Sequence, residues 1–112
     1  MTVDVYMQYY SADLTWNGVE RRGAAVRLTA DSETGQIRYT ASVSFFPHVA
    51  DDDFSVSYDA YFEKELYRAA GRRSKKRESV FLENLRSVID ELAEDAGGKV
   101  LWDRPLGEAR RG

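Results

Sequence analysis

Two turn signals divide the first 47 residues into three alternating runs, and this partition constrains the fold more than any other feature. Asn17-Gly18 lies between Leu14-Thr15-Trp16 and Val19-Glu20. Asn-Gly is the strongest short hairpin signal, because a type I′ turn needs positive φ at both central residues. Ser32-Glu33-Thr34-Gly35 supplies the second turn, with Gly35 free to take the left-handed conformation. In the first run Val3, Val5, Met7 and Tyr9 alternate with Asp4, Tyr6, Gln8 and Tyr10. In the second, Val26, Leu28 and Ala30 oppose Arg27, Thr29 and Asp31. In the third, Ile37, Tyr39, Ala41, Val43 and Phe45 oppose Arg38, Thr40, Ser42 and Ser44, until Pro47 ends the run. Period-2 alternation predicts half-buried strands, hence a three-stranded antiparallel meander. Gly23 is a candidate bulge in its second strand.

The rest of the chain carries helical spacing. Tyr58, Tyr61, Phe62, Leu66 and Ala69 form a stripe that predicts a helix over Tyr58–Ala70, with Ser57 as its cap and Gly71 as its stop. Val56 and Tyr61 stand at the spacing of a hydrophobic staple. Phe81, Leu82, Leu85, Val88, Ile89, Leu92 and Ala96 predict a second helix over Lys75–Ala96, capped by Ser74 and closed by Gly97-Gly98. Lys99–Trp102 reads as a short fourth strand before Pro105. The expected fold is α+β: an antiparallel three- to four-stranded meander with a C-terminal αα-hairpin on one face, the other face being left to solvent or a partner. Residues 1–106 form one domain in this reading and 107–112 a flexible tail.

Composition excludes several classes. With 112 residues, 43% of them hydrophobic, one domain can build a core without staples. The absence of cysteine removes disulfide scaffolds, thiol nucleophiles and thiolate zinc sites. No apolar run approaches the roughly 18 residues of a membrane span. The start MTVDVYMQYY lacks the basic region and apolar stretch of a secretory leader, so the expected setting is cytoplasmic.

The net charge of −3 conceals blocks. Residues 68–77 hold six basic residues, Arg68, Arg72, Arg73, Lys75, Lys76 and Arg77, and no acidic one, with acidic stretches on both sides. On a helical hairpin this run becomes a basic pole at the turn. Asp59, Glu63, Glu65, Asp90, Glu91, Glu94 and Asp95 gather at the opposite end, with Asp51 to Asp53 nearby. The second helix then carries its charges against its own dipole, which does nothing for helix stability.

Catalytic constellations are weak. His48 is the sole histidine, so two-histidine metal motifs are excluded. A hydrolase built on His48 with Asp51 to Asp53 lacks a turn to present a serine. The three adjacent aspartates lack the spacing and central glycine of a calcium loop. Gly97-Gly98 and Gly71-Arg72-Arg73 match no phosphate-cradling loop. No enzyme activity, cofactor or metal is expected. Trp16 and Trp102 suit packing, with an anchoring role in an interface as the alternative. Arginine outnumbers lysine 12 to 4 without pointing to any function.

The outward sheet face is the more informative surface. The alternation places Tyr6, Tyr10, Arg27 and Arg38 there together, aromatic rings beside guanidinium groups. The leading expectation is a small non-catalytic protein-interaction module of adaptor, regulatory or toxin-neutralising type, docking through this face or the basic pole. The alternative is a nucleic-acid-binding domain that stacks bases on the tyrosines and holds phosphate with the basic pole. The acidic net charge and Asp4 and Asp31 count against it. Homodimerisation through the sheet face or through opposite poles is compatible with either.

Overall fold

Both turns form as type I′ hairpins. In the computed structural model, which describes residues 1–47, 60–103 and 105–106, Asn17 and Gly18 have φ of 54° and 79°, and Thr34 and Gly35 have 45° and 79°. They join β1 (Thr2–Trp16), β2 (Val19–Glu33) and β3 (Gln36–Phe46) into the expected meander. Thr34 is a β-branched residue in left-handed backbone, a costly placement. Thr34→Asn is therefore expected to raise stability by roughly 0.5–1 kcal/mol, read as a higher urea midpoint at unchanged slope.

The segment expected to be the first helix is a strand, β4 (Ala60–Ala70), paired antiparallel along β3 from Phe45↔Ala60 to Gln36↔Ala70. Among the described residues there is thus no αα-hairpin: one helix, α1 (Lys75–Ala96), follows, and then β5 (Lys99–Leu101). The reason lies in a bulge. Tyr39 pairs with Tyr67 and Thr40 with Glu65, so Leu66 is an extra residue on β4. Inserting it moves the apolar positions to Phe62, Leu66 and Ala69, which imitates helical spacing. Lys64 falls on the helix side of β4, opposite Ala41, and is exposed. Gly71, at φ 128°, turns the chain out of the strand while its N–H donates to Gly35 O at 3.0 Å.

The strand order is β4-β3-β2-β1-β5, all neighbours antiparallel. α1 runs over one face with Leu85, Ile89 and Ala93 fully buried against Tyr6, Tyr10, Val26, Leu28, Val43 and Phe45. Its boundaries are those predicted. Ser74 accepts from the Arg77 N–H, and Gly97 closes the helix at φ 88°. There the Gly97 and Gly98 N–H groups donate to Glu94 O and Ala93 O in a Schellman arrangement. Gly98 is required by close approach: a Cβ there would stand 2.6 Å from Leu14 Cδ1 and 2.7 Å from Asp13 O. The N-terminal end of α1 is tied down by charge. Glu78 is buried, accepts from Arg73 Nε and Nη2 at 2.8 and 3.0 Å, and accepts from Tyr39 Oη at 2.7 Å.

Two further irregularities lie in β1. Asp4 pairs with Thr29 and Tyr6 with Leu28, so Val5 is extra; a second extra residue lies between Ser11 and Leu14. The expected bulge at Gly23 is therefore on the strand beside it, since Gly23 itself pairs with Ser11. The first bulge reverses the parity of β1. Val3 and Val5 reach the core side, but beyond them Tyr6, Tyr10, Ala12 and Leu14 face α1.

Candidate functional site

The face of the sheet opposite α1 is covered by no element among the described residues. Register places its side chains in rows. Tyr9, Ala25, Ser44 and Tyr61 form one row across β1 to β4; Met7, Arg27, Ser42 and Glu63 form the next. Asp4, Thr29, Thr40 and Glu65 follow, then Thr2, Asp31, Arg38 and Arg68. Beyond Tyr9, Leu101, Ser11, Gly23 and Phe46 complete the array.

The centre of this face is built from small residues. Ala25, Ser42 and Thr40 are 6%, 4% and 9% exposed although no element among the described residues lies over them. Tyr9 and Phe46 meet edge-on at 6.0 Å on one side. Tyr61 stands on the other, 53% exposed, and its hydroxyl donates to Glu63 Oε1 at 2.8 Å. Burial and the adjacent Glu63 carboxylate raise the Tyr61 pKa above its ordinary value, so the phenol stays protonated as a donor. The centre of the face is thus made of small side chains with Tyr9, Phe46 and Tyr61 around them.

Charge on the face is largely paired. Arg38 meets Asp31 at 3.5 Å, and Arg68 meets Glu65 at 2.8 Å. Asp31 also accepts from the Thr2 hydroxyl, the main cause of its lowered pKa. Arg27 has no ion pair with any described residue, and its Nε is enclosed without an acceptor.

Of the four sheet residues expected to share the outer face, Arg27 and Arg38 do. Tyr6 and Tyr10 do not: they are 6% and 2% exposed under α1, with their hydroxyls 2.6 Å apart. The Val5 bulge is the physical cause. Tyr9 stands where Tyr10 was expected, and Tyr61 joins from β4. Sequence reasoning missed both, since the bulge leaves no local signal and the helical reading of 58–70 removed β4 from the sheet.

The basic pole is divided. Arg68 lies on the outer face bound to Glu65, Arg73 is bound to Glu78, and the Arg77 guanidinium lies 4.1 Å from the centre of the Tyr67 ring. Arg72, Lys75 and Lys76 are exposed around the start of α1. Glu63 and Glu65 belong to the open face rather than to an acidic pole, which corrects the arrangement expected from a helical hairpin. The last turn of α1 carries no basic residue, so its charges do oppose its dipole.

Trp16 packs edge-on to Phe62 at 5.2 Å, while Trp102 packs on Tyr10 at 4.7 Å and donates to Asp90 Oδ1 at 2.8 Å. Both are bound within the chain. His48 and Asp51 to Asp53 lie outside the described residues, as does the 107–112 tail. Among the described residues no three His, Cys, Asp or Glu side chains come together as metal ligands, and no helix is long and apolar enough to cross a membrane.

Among the described residues these features define an α+β fold with a five-stranded antiparallel sheet, a single covering helix and one open face. Compared with known proteins, the chain matches no family model, no curated protein and no solved structure at a significant level.

Proposed function

We propose that the protein is a small protein-interaction module that docks a partner on the open face of its sheet. The observation that carries this reading is the open face itself: small residues at its centre with Tyr9, Phe46 and Tyr61 around them, left uncovered by the described elements. Tyrosine gives large contact area at low entropy cost and keeps a polar tip, the chemistry favoured at interface centres. The alternative nucleic-acid reading loses Tyr6 and Tyr10, which are inside, and Asp4, Asp31, Glu63 and Glu65 on the same face count against a polyanion. The exposed cations Arg72, Lys75 and Lys76 remain as a second surface.

Photocrosslinking separates the two surfaces. With p-benzoylphenylalanine in place of Tyr9 or Ser44, irradiation in cells of the source organism is expected to give a discrete adduct with a second protein. The same group in place of Lys76 is expected to give none. Adducts from Lys76 alone, or from neither surface, would overturn the proposal.

A further inference from the structure

Arg27 is, among the described residues, the one cation of the open face without a carboxylate. Arg38 and Arg68 are held by Asp31 and Glu65, whereas Arg27 stands between Met7 and Ser42 with its Nε enclosed and unbonded. A buried donor without an acceptor calls for an explanation, because folded proteins satisfy nearly all such groups. Glu63, the acid in the same row, is two strands away and already accepts from Tyr61.

We propose that Arg27 is the specificity anchor of the open face, pairing with a carboxylate side chain that a partner presents between apolar residues. This rests on the reading of the face as a docking surface. The terminal Nη1 and Nη2 form a planar fork that matches a carboxylate through two parallel hydrogen bonds. Register sets only Ala25, Ser42 and Thr29 beside it on β2 and β3, all small side chains. Met7, Tyr9 and Tyr61 supply apolar area on either side, and their contact excludes water from the pair and strengthens it.

The dimensions of the face select the form of the partner. Four strands about 4.8 Å apart and five rows two residues apart span roughly 15 by 27 Å. One amphipathic helix, about 10 Å wide, or one extended segment fills that area. A carboxylate is favoured over a phosphate chain because Asp4, Glu63 and Glu65 stand on the same face and the chain is acidic overall. A single acid placed on Arg27 avoids those groups, whereas a polyanion would meet them.

The test pans a displayed library of random 12-residue peptides against the full chain at low salt. Enriched peptides are then synthesised and titrated against wild type, Arg27→Met, Arg27→Lys and Tyr61→Ala. The expected consensus holds one Asp or Glu flanked by apolar or aromatic residues. Arg27→Met, and amidation of the peptide acid, are each expected to weaken binding at least tenfold. Combining them is expected to add little further loss, with Arg27→Lys intermediate because it keeps the charge and loses the fork. Circular dichroism confirms that the variants fold.

Peptides without an acid, or an Arg27→Met affinity within twofold of wild type, would overturn the assignment. If Tyr61→Ala still abolished binding in that case, the docking face would stand without its anchor. Absence of any peptide binding would remove both. Self-association disrupted by Arg27→Glu would make a second copy the occupant, and oligonucleotide binding lost in Arg27→Met would make it a nucleic acid; either overturns the proposal.

Discussion

Glu78→Ala is expected to destabilise the protein by about 2–4 kcal/mol. Removing one member of a buried ion pair costs about 3–5 kcal/mol, and the lower figure reflects Arg73, whose side chain is 48% exposed and rehydrates. The carboxylate is only 6% exposed and serves two partners at once. Arg73 clamps it through both oxygens, and Tyr39, itself fully buried, donates to it while accepting from the Ser74 N–H at 3.1 Å. Loss of Glu78 leaves the Tyr39 hydroxyl without its acceptor and frees the start of α1 from β3. Urea unfolding of Glu78→Ala measures the effect; a change below 1 kcal/mol would show that the pair is idle.

The same group sets a pH dependence. The Arg73 guanidinium lowers the Glu78 pKa against the opposing effect of burial, with the Tyr39 hydroxyl adding to the lowering. Because the folded pKa lies below the unfolded one, the stabilisation is complete above the ordinary glutamate value near 4.5. It declines as pH falls through the lower folded pKa. Asp31 and Glu65, lowered chiefly by Thr2 and Arg68, act in the same direction. Glu78→Gln is expected to flatten the acid limb of a stability–pH curve below pH 5 while lowering the plateau at pH 7. An acid limb as steep as that of wild type would contradict this.

Phe45→Ala carries the other large expected loss, about 3–5 kcal/mol. Phe45 is fully buried on β3 and lies 6.2 Å from Phe62, which itself meets Trp16 at 5.2 Å. This ring cluster joins three strands at the Asn17-Gly18 end of the sheet. Truncating Phe45 leaves a cavity beside Phe62 in a fully buried part of the core, which adds to the lost burial. For a domain with typically 5–15 kcal/mol in total, the variant should stay folded near room temperature but lose on the order of 10–20 °C in Tm. A drop below 5 °C would mean that Phe62 and Trp16 collapse into the void.

What was legible in the sequence was whatever depended on local chemistry. Asn17-Gly18 and Thr34-Gly35 marked both hairpins, β2 and β3 kept unbroken alternation, and Ser74 and Gly97-Gly98 bounded α1. What failed depended on one extra residue at a time. Val5 reversed the facing of Tyr6, Tyr9 and Tyr10, and Leu66 turned a strand pattern into a helical one. An inserted residue is stabilised by partners on the neighbouring strand, so its own segment shows no mark of it. The site inherited both errors: Arg27 and Arg38, on regular strands, were placed correctly, whereas the aromatic residues of the face were not.

Lys64 and the Leu66 bulge have a consequence for how the chain behaves in a crowd. The long outer edge of β4 offers a ladder that another copy could extend, the usual route to edge-to-edge aggregation. A second strand laid along it would have to shut in the Lys64 amine on the helix side and match a kink in the ladder at Leu66. Both penalties oppose extension of the sheet along β4. That edge is thereby guarded against pairing with like chains.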